Sequence, residues 1–327
     1  MKNVLICGAT GFIGRNLTLF YSKQNDYRIF ATYHKKEPFE CENITWIKAD
    51  LRDKDDLKKA LDGIDILIQA AATTSGAKDI INSPHIHVTD NAVMNSLIFR
   101  EAFEQNLEQV LFFSCSVMYQ SSQNLIKESD FNGEIPQSYF GAGWTKVYIE
   151  KQAEFYAKLN KTKFTVLRHS NIYGEYDKFD LEKSHVFGAT MTKVLTNSDG
   201  EIVIWGDGEA KRDLLYVYDL IEAVDICIRN QKDNFELLNV GLEKAISIRE
   251  LVSKIIKISK RDIKISFDKT KPNINTKIAL DCSKIKSKFG WEAKTSLEEG
   301  IKKTMAWYRE NIMIYHPINE VISSSTK

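Results

Sequence analysis

Glycines at 8, 11 and 14 stand between an apolar run, Val4-Leu5-Ile6-Cys7, and a helical pattern that opens at Phe12. That spacing means little alone. At the end of a strand and the head of a helix it is a strong signal. Gly8 allows a tight turn, Gly11 lets the backbone approach a pyrophosphate, and Gly14 lets the helix lie close to the strand. The free amides of the first helical turn, at the positive end of the helix dipole, then suit a diphosphate. Gly8, Thr10, Gly11, Phe12, Ile13, Gly14 and Arg15 are the candidate dinucleotide contacts here. The competing reading is an ordinary glycine-rich turn, and the agreement of context with spacing weighs against it.

Strand and helix patterns alternate after this point. Strands are expected at 3–7, 28–32, 44–48, 65–69, 109–114, 164–168 and 236–240, with helices at 12–24, 53–61, 90–105 and 144–159. The alternation predicts an α/β Rossmann fold with a doubly wound parallel sheet. Beyond residue 175 the segments shorten, with strands expected at 201–205, 263–267 and 277–280 and helices at 184–195, 247–257 and 297–309. No second glycine fingerprint follows. Residues 1–175, with 217–242 returning to them, read as the dinucleotide-binding domain. Residues 176–216 and 243–315 read as a smaller substrate lobe, and 316–327 as a polar tail.

Composition narrows the classes. A chain of 327 residues can bury roughly 75% of its unfolded surface. With 45 basic and 44 acidic residues the net charge is +1, which favours neither nucleic acid nor an anionic membrane as partner. The five cysteines are scattered with no Cys-x-x-Cys pair, so neither a disulfide framework nor a zinc site is expected. No apolar run reaches the roughly 18 residues of a membrane span. A soluble, cytoplasmic protein is the expectation.

Cofactor choice is read after the second strand, where NAD binding usually needs an acid for the ribose 2′-hydroxyl. Here the chain runs Ala31-Thr-Tyr-His-Lys-Lys36, with no acid before Glu37. With Arg15, the basic groups His34, Lys35 and Lys36 suit a 2′-phosphate. NADP(H) is favoured, with NAD(H) as the alternative; the competing reading is a set of solvated surface charges.

Several motifs together resemble the extended short-chain dehydrogenase/reductase family of NAD-dependent epimerases and dehydratases. They are Gly8 to Gly14, Ala49-Asp50-Leu51-Arg52-Asp53, Gln69-Ala-Ala-Ala72, Phe113-Ser-Cys-Ser-Val-Met-Tyr119, Trp144-Thr-Lys146, Leu167-Arg-His-Ser-Asn-Ile-Tyr-Gly174 and Trp205-Gly-Asp-Gly-Glu-Ala-Lys-Arg-Asp213. Ser184-His185-Val186, Trp205-Gly206 with Arg212-Asp213, and Phe267-Asp-Lys-Thr-Lys-Pro272 resemble its GDP-fucose synthase-like members. The resemblance implies Asp50 and Leu51 at the adenine and Ala70, Ala71 and Ala72 beside the nicotinamide ribose. Ser114, Lys146, His169, Asn171 and Ile172 are implied along the rest of the cofactor. On the sugar-nucleotide side it implies Thr73, Val117, Asn171, His185, Val186, Trp205 and Arg212, with Lys193 and Lys271 as looser candidates. Arg212 would clamp the diphosphate, a task that suits a guanidinium. A homodimer through helices 90–105 and 144–159 is implied by the resemblance alone.

The chain also departs from the pattern. The family's tyrosine, one turn before the lysine, passes the proton while hydride moves. Here Ala142 occupies that place, four residues before Lys146. Three readings stay open: a tyrosine exchanged to trap a ligand, a natural member with another acid, or a non-catalytic binder. Tyr139, on the same expected helix face, is the fallback acid, set against a plain packing role. Where the family has its catalytic hydroxyl stands Cys115, a weaker donor, flanked by Ser114 and Ser116. Val117 takes the place of an epimerising cysteine or a dehydratase glutamate, and valine moves no protons. His185 matches a histidine that acts as an acid near the sugar. The expected function is NAD(P)-dependent reduction or epimerisation of a nucleotide sugar, GDP-linked, at its 4-keto group, impaired by Ala142. The alternatives are a non-catalytic homologue and a 4,6-dehydratase-type enzyme.

Overall fold

The computed structural model describes residues 1–74, 82–181, 184–271 and 276–313. The polar tail at 316–327 and Pro272 of the Phe267 motif lie outside them.

Seven parallel strands form the main sheet: β1 (Lys2–Cys7), β2 (Tyr27–Tyr33), β3 (Ile44–Lys48), β4 (Ile66–Gln69), β5 (Gln109–Cys115), β6 (Lys163–His169) and an edge strand (Phe235–Val240). From the edge strand inward the order is edge strand, β6, β5, β4, β1, β2, β3. Strands buried on both faces read as unbroken apolar runs, which is why the sequence announces them. Side chains alternate along each strand. Val4 and Ile6 join one core, with Leu17, Ile29, Leu111 and Leu220; Leu5 and Cys7 join the other, with Leu57, Phe99, Val110, Phe112 and Ile149.

Helix α1 (Phe12–Tyr21) covers the first face. Helices α2 (Lys54–Ala60), α3 (Thr89–Glu104) and α4 (Phe140–Lys158) cover the second. The strand order reverses beside β1: β2 flanks it on one side and β4 on the other. Ligands of open α/β sheets bind in the crevice at such a reversal, outside the carboxyl ends of the strands.

Short elements follow. Strands Asn171–Tyr173, Lys211–Tyr216, Ala245–Ser247 and Lys277–Ile278 form a small sheet, and Glu201–Trp205 pairs with Lys264–Asp268. Helices Val186–Thr196 and Ile248–Ser259 pack together. The second is strongly amphipathic, burying Ile248, Leu251, Val252 and Ile255. Helix Val217–Asn230 packs against α1. Two expectations are corrected. The helix placed at 144–159 begins at Phe140, and the one placed at 12–24 stops at Tyr21. Strand Lys211–Tyr216, with its charged first three residues, was not expected at all. No helix among the described residues is long and apolar enough to cross a membrane.

Candidate functional site

The glycine turn fits a dinucleotide for steric reasons visible in the backbone. Gly8 has φ +70°, a region that favours glycine. A Cβ there would lie 2.6 Å from Ala71 Cα, and one on Gly14 would lie 2.1 Å from the Gly8 carbonyl oxygen. Both approaches require glycine. Gly11 caps α1 with no side chain over its first-turn amides. Thr32, at the end of β2, accepts from the Gly8 amide at 3.1 Å through its hydroxyl and fixes the turn.

A cleft of about 380 Å³ opens here, within the size of a small-ligand pocket. Its lining includes Gly8, Thr10, Gly11, His34, Lys35, Asp50, Leu51, Ala70, Ala71, Ala72 and Thr73. Sequence reasoning missed Thr32, Tyr33, Ala49, Arg52, Asp90 and Met94, which line it too. Thr32 and Tyr33 end a strand beside the reversal, and that position is the signal that could have found them. Arg52 stands inside a quoted motif. It donates to Asp50 from Nε at 2.9 Å and Nη2 at 2.8 Å, and to Asp90 at 3.1 Å. These bonds hold the Asp50 carboxyl well below the usual range. Asn91 grips Thr73 through both backbone groups.

Gly14, Phe12, Ile13 and Arg15 support the cradle but do not line the cleft. The Arg15 guanidinium lies 4.3 Å from the Phe39 ring centroid and 4.2 Å from that of Tyr176. Burial lowers the pKa of Lys36, with Arg15 and Lys178 adding like charge. Arg15, Lys36 and Lys178 therefore form one basic group.

One strand beyond β4, β5 ends in Ser114 and Cys115, and their side chains part. Ser114, expected at the cofactor, is fully buried, and its hydroxyl donates to Glu150 Oε1 at 2.5 Å. Glu150 is paired with Arg168 at 2.6 Å, and Arg168 donates to the Tyr119 hydroxyl at 2.8 Å. Tyr119 in turn donates to Asn239 at 2.9 Å. Cys115 instead stands half-buried. Burial pushes its thiol up, and Lys146 opposes that. Ser116 is buried and Val117 half-buried beside it.

Lys146 and Ala142 fall four apart on α4, on one face as expected. The Lys146 ammonium donates to the Phe113 carbonyl at 2.8 Å, and burial draws its pKa below the usual lysine value. His169, at the end of β6, is neutral over the working range: burial drops it to about 4, and Nδ1 lies 2.7 Å from the Ser170 carbonyl. Ile172 is buried.

On the sugar-nucleotide side, Arg212 uses Nη1 on Thr276, at 2.6 Å to the hydroxyl and 3.1 Å to the carbonyl. Burial lowers its pKa, and Tyr139 opposes that. Asn171 donates to the Asp213 carbonyl at 3.1 Å. His185 precedes helix Val186–Thr196 as its N-cap. Surrounding protein lowers its pKa, as do Lys178 and His87, the latter a second histidine that sequence reasoning missed. Trp205 is exposed at a strand end. The Lys193 ammonium donates to the Val203 carbonyl at 2.9 Å. Lys271 is exposed at the edge of the described residues.

Comparison with known proteins gives the family and the fold. Residues 4–241 match the model of the NAD dependent epimerase/dehydratase family. The chain is 29% identical over 313 residues to the GDP-L-colitose synthase of Yersinia pseudotuberculosis, covering 93% of this chain and 97% of that protein. It is 25% identical over 321 residues to the GDP-L-fucose synthase of Azorhizobium caulinodans, covering 96% and 98%. Among solved structures, the UDP-glucose 4-epimerase of Thermotoga maritima superposes with a TM-score of 0.85 at 22% identity, over 95% of this chain and 99% of that one. That likeness is one of fold.

Proposed function

The chain belongs to the NAD dependent epimerase/dehydratase family, and on that premise we propose that it reduces or epimerises a GDP-linked 4-keto sugar with NADP(H). The observation that carries this reading is the pairing of two settings at the carboxyl ends of β1 and β5, with β4 between them. The glycine cradle follows β1. Cys115, at the end of β5, lies within electrostatic reach of Lys146.

Gly8, Gly11 and the first-turn amides of α1 would hold the cofactor diphosphate. Ala70, Ala71, Ala72 and Lys146 would border its nicotinamide ribose, and Asp50 its adenine. Bound there, the nicotinamide supplies or accepts the hydride at the sugar carbon. Arg212 would bind the sugar nucleotide's diphosphate and His185 the sugar, with Asn171 and Trp205 beside them. Arg15, His34, Lys35 and Lys36 favour the 2′-phosphate. The choice of GDP leans on the curated relatives, whose names carry GDP sugars; the solved neighbour carries a UDP sugar. With alanine at 142, turnover is expected to be slow.

A homodimer fits the surface. Trp144, Tyr148 and Phe155 on α4 and Val93 on α3 are exposed, at spacings of four and seven along α4, and form one apolar stripe. Light scattering in solution would give twice the chain mass; a monomer would overturn the dimer.

The test of function is the absorbance of reduced cofactor mixed with GDP-4-keto-6-deoxymannose or its UDP counterpart. Consumption with the GDP sugar supports the reading. Consumption with the UDP sugar alone would overturn the choice of base. Binding of both ligands with no consumption would favour a non-catalytic homologue.

A further inference from the structure

Resting on the reading of the cleft as a dinucleotide site, we infer that Arg52 receives the adenine ring on the flat face of its guanidinium. Asp50 then serves to hold Arg52 in place and does not read the adenine amino group.

The turn that carries both residues is fixed from within. The Asp53 amide donates to the Asp50 carbonyl at 2.8 Å, and the Asp50 amide donates to Asp56 Oδ2 at 3.0 Å. Asp53 caps α2, accepting from the Asp55 and Asp56 amides. On this rigid turn Asp50 Oδ1 accepts from the Arg52 amide at 3.0 Å and from Arg52 Nε at 2.9 Å, and Oδ2 accepts from Nη2 at 2.8 Å. An ionised carboxylate has about four acceptor sites, and Arg52 alone fills three of them. His34 Nε2 stands 3.7 Å from Oδ2. Little of Asp50 is left for a ligand's amino group.

Arg52 is held from the other side as well. Its Nη1 donates to Asp90 Oδ1 at 3.1 Å, and Asp90 lies in the first turn of α3. The guanidinium thus bridges the turn after β3 and the head of α3. Its N–H groups lie in the plane of the fork, so the two carboxylates fix its edges and leave its faces. Asp50, Arg52 and Asp90 all line the cleft, and Leu51 and Met94 add apolar surface to the same lining. A planar, weakly hydrated cation stacks on an aromatic ring. Fold stability does not account for the bridge. The Asp50, Arg52 and Asp90 side chains are 30%, 40% and 47% exposed, and exposed ion pairs contribute little to folding.

On the unchanged chain, equilibrium titration followed by nicotinamide fluorescence compares NADPH with its hypoxanthine analogue, in which a carbonyl replaces the adenine amino group. The two should bind within about twofold of each other, since stacking tolerates any base. A preference for NADPH of about tenfold or more, the worth of a charge-assisted bond to the amino group, would overturn the inference. Arg52→Ala and Arg52→Lys should each weaken NADPH and NADH alike by about fivefold, the worth of an exposed cation–π contact. Lysine keeps the charge and loses the flat face. Melting temperature and affinity for GDP-4-keto-6-deoxymannose should hold. Full cofactor affinity in either variant would overturn the inference. Weakening confined to NADPH would place Arg52 on the 2′-phosphate and overturn it too. No binding of either cofactor by the unchanged chain would overturn the dinucleotide reading and the inference with it.

Discussion

Ser114 and Cys115 are consecutive on β5, yet they enter opposite settings. Ser114 belongs to a closed network in which Glu150, Arg168, Tyr119 and Asn239 satisfy one another out of contact with solvent. The charged pair at its centre has side chains only 4% exposed. Cys115 belongs to an open group: it stands half-buried within electrostatic reach of Lys146, whose ammonium donates to the Phe113 carbonyl at 2.8 Å, and of Tyr139. The alternation of a strand separates them. A satisfied buried network fixes where the strand end lies. An open one leaves donors available to a ligand. The first setting is built to hold geometry and the second to spend it.

The largest expected effect is on the closed side. Arg168→Ala leaves Glu150 charged and unpaired in the interior, which costs about 3–5 kcal/mol. Chemical denaturation should show that loss, while the protein that stays folded keeps its cofactor affinity. A loss below 1 kcal/mol would mean that water reaches the network and that the contrast is false. Next comes Arg212→Ala on the open side. Loss of a charge-assisted contact worth about 1.5–3 kcal/mol should weaken sugar-nucleotide binding by roughly 10- to 100-fold and spare the cofactor. Equal losses of both ligands, with a drop in melting temperature, would assign Arg212 to structure through Thr276 instead. The smallest effect concerns the cofactor itself. NADP(H) should bind about tenfold tighter than NAD(H), the worth of roughly one such contact. Titration of both decides, and preference for NAD(H) would return Arg15, His34, Lys35 and Lys36 to the solvent.

The sequence made the central sheet easy to read because its middle strands β1, β4 and β5 are largely buried on both faces and run mostly apolar. Strands β1 to β6 begin and end within a residue or so of their expected places. The head of α4 was harder. The helix expected over 144–159 starts earlier, where Gly141 makes room for Val88 from far back in the chain and Gly143 for Ile135, and packing overrides propensity. Strand Lys211–Tyr216 opens on charged residues, and its partners lie far away in the chain. The cradle glycines were legible because their task is local. The fate of Ser114 was not, since it turns on a carboxylate 36 residues away. The same limit hid His87 and Lys178, which meet His185 only in the fold.

The most direct measurement is single-turnover oxidation of NADPH by GDP-4-keto-6-deoxymannose in the unchanged chain and in Ala142→Tyr. The unchanged chain should bind both ligands and turn over slowly. A phenol beside Lys146 should raise the rate by roughly 10²–10⁴-fold, the range of a well-placed general acid, with ligand affinities nearly the same. Tight binding of both ligands with no turnover in either form would contradict an enzyme built around this open group.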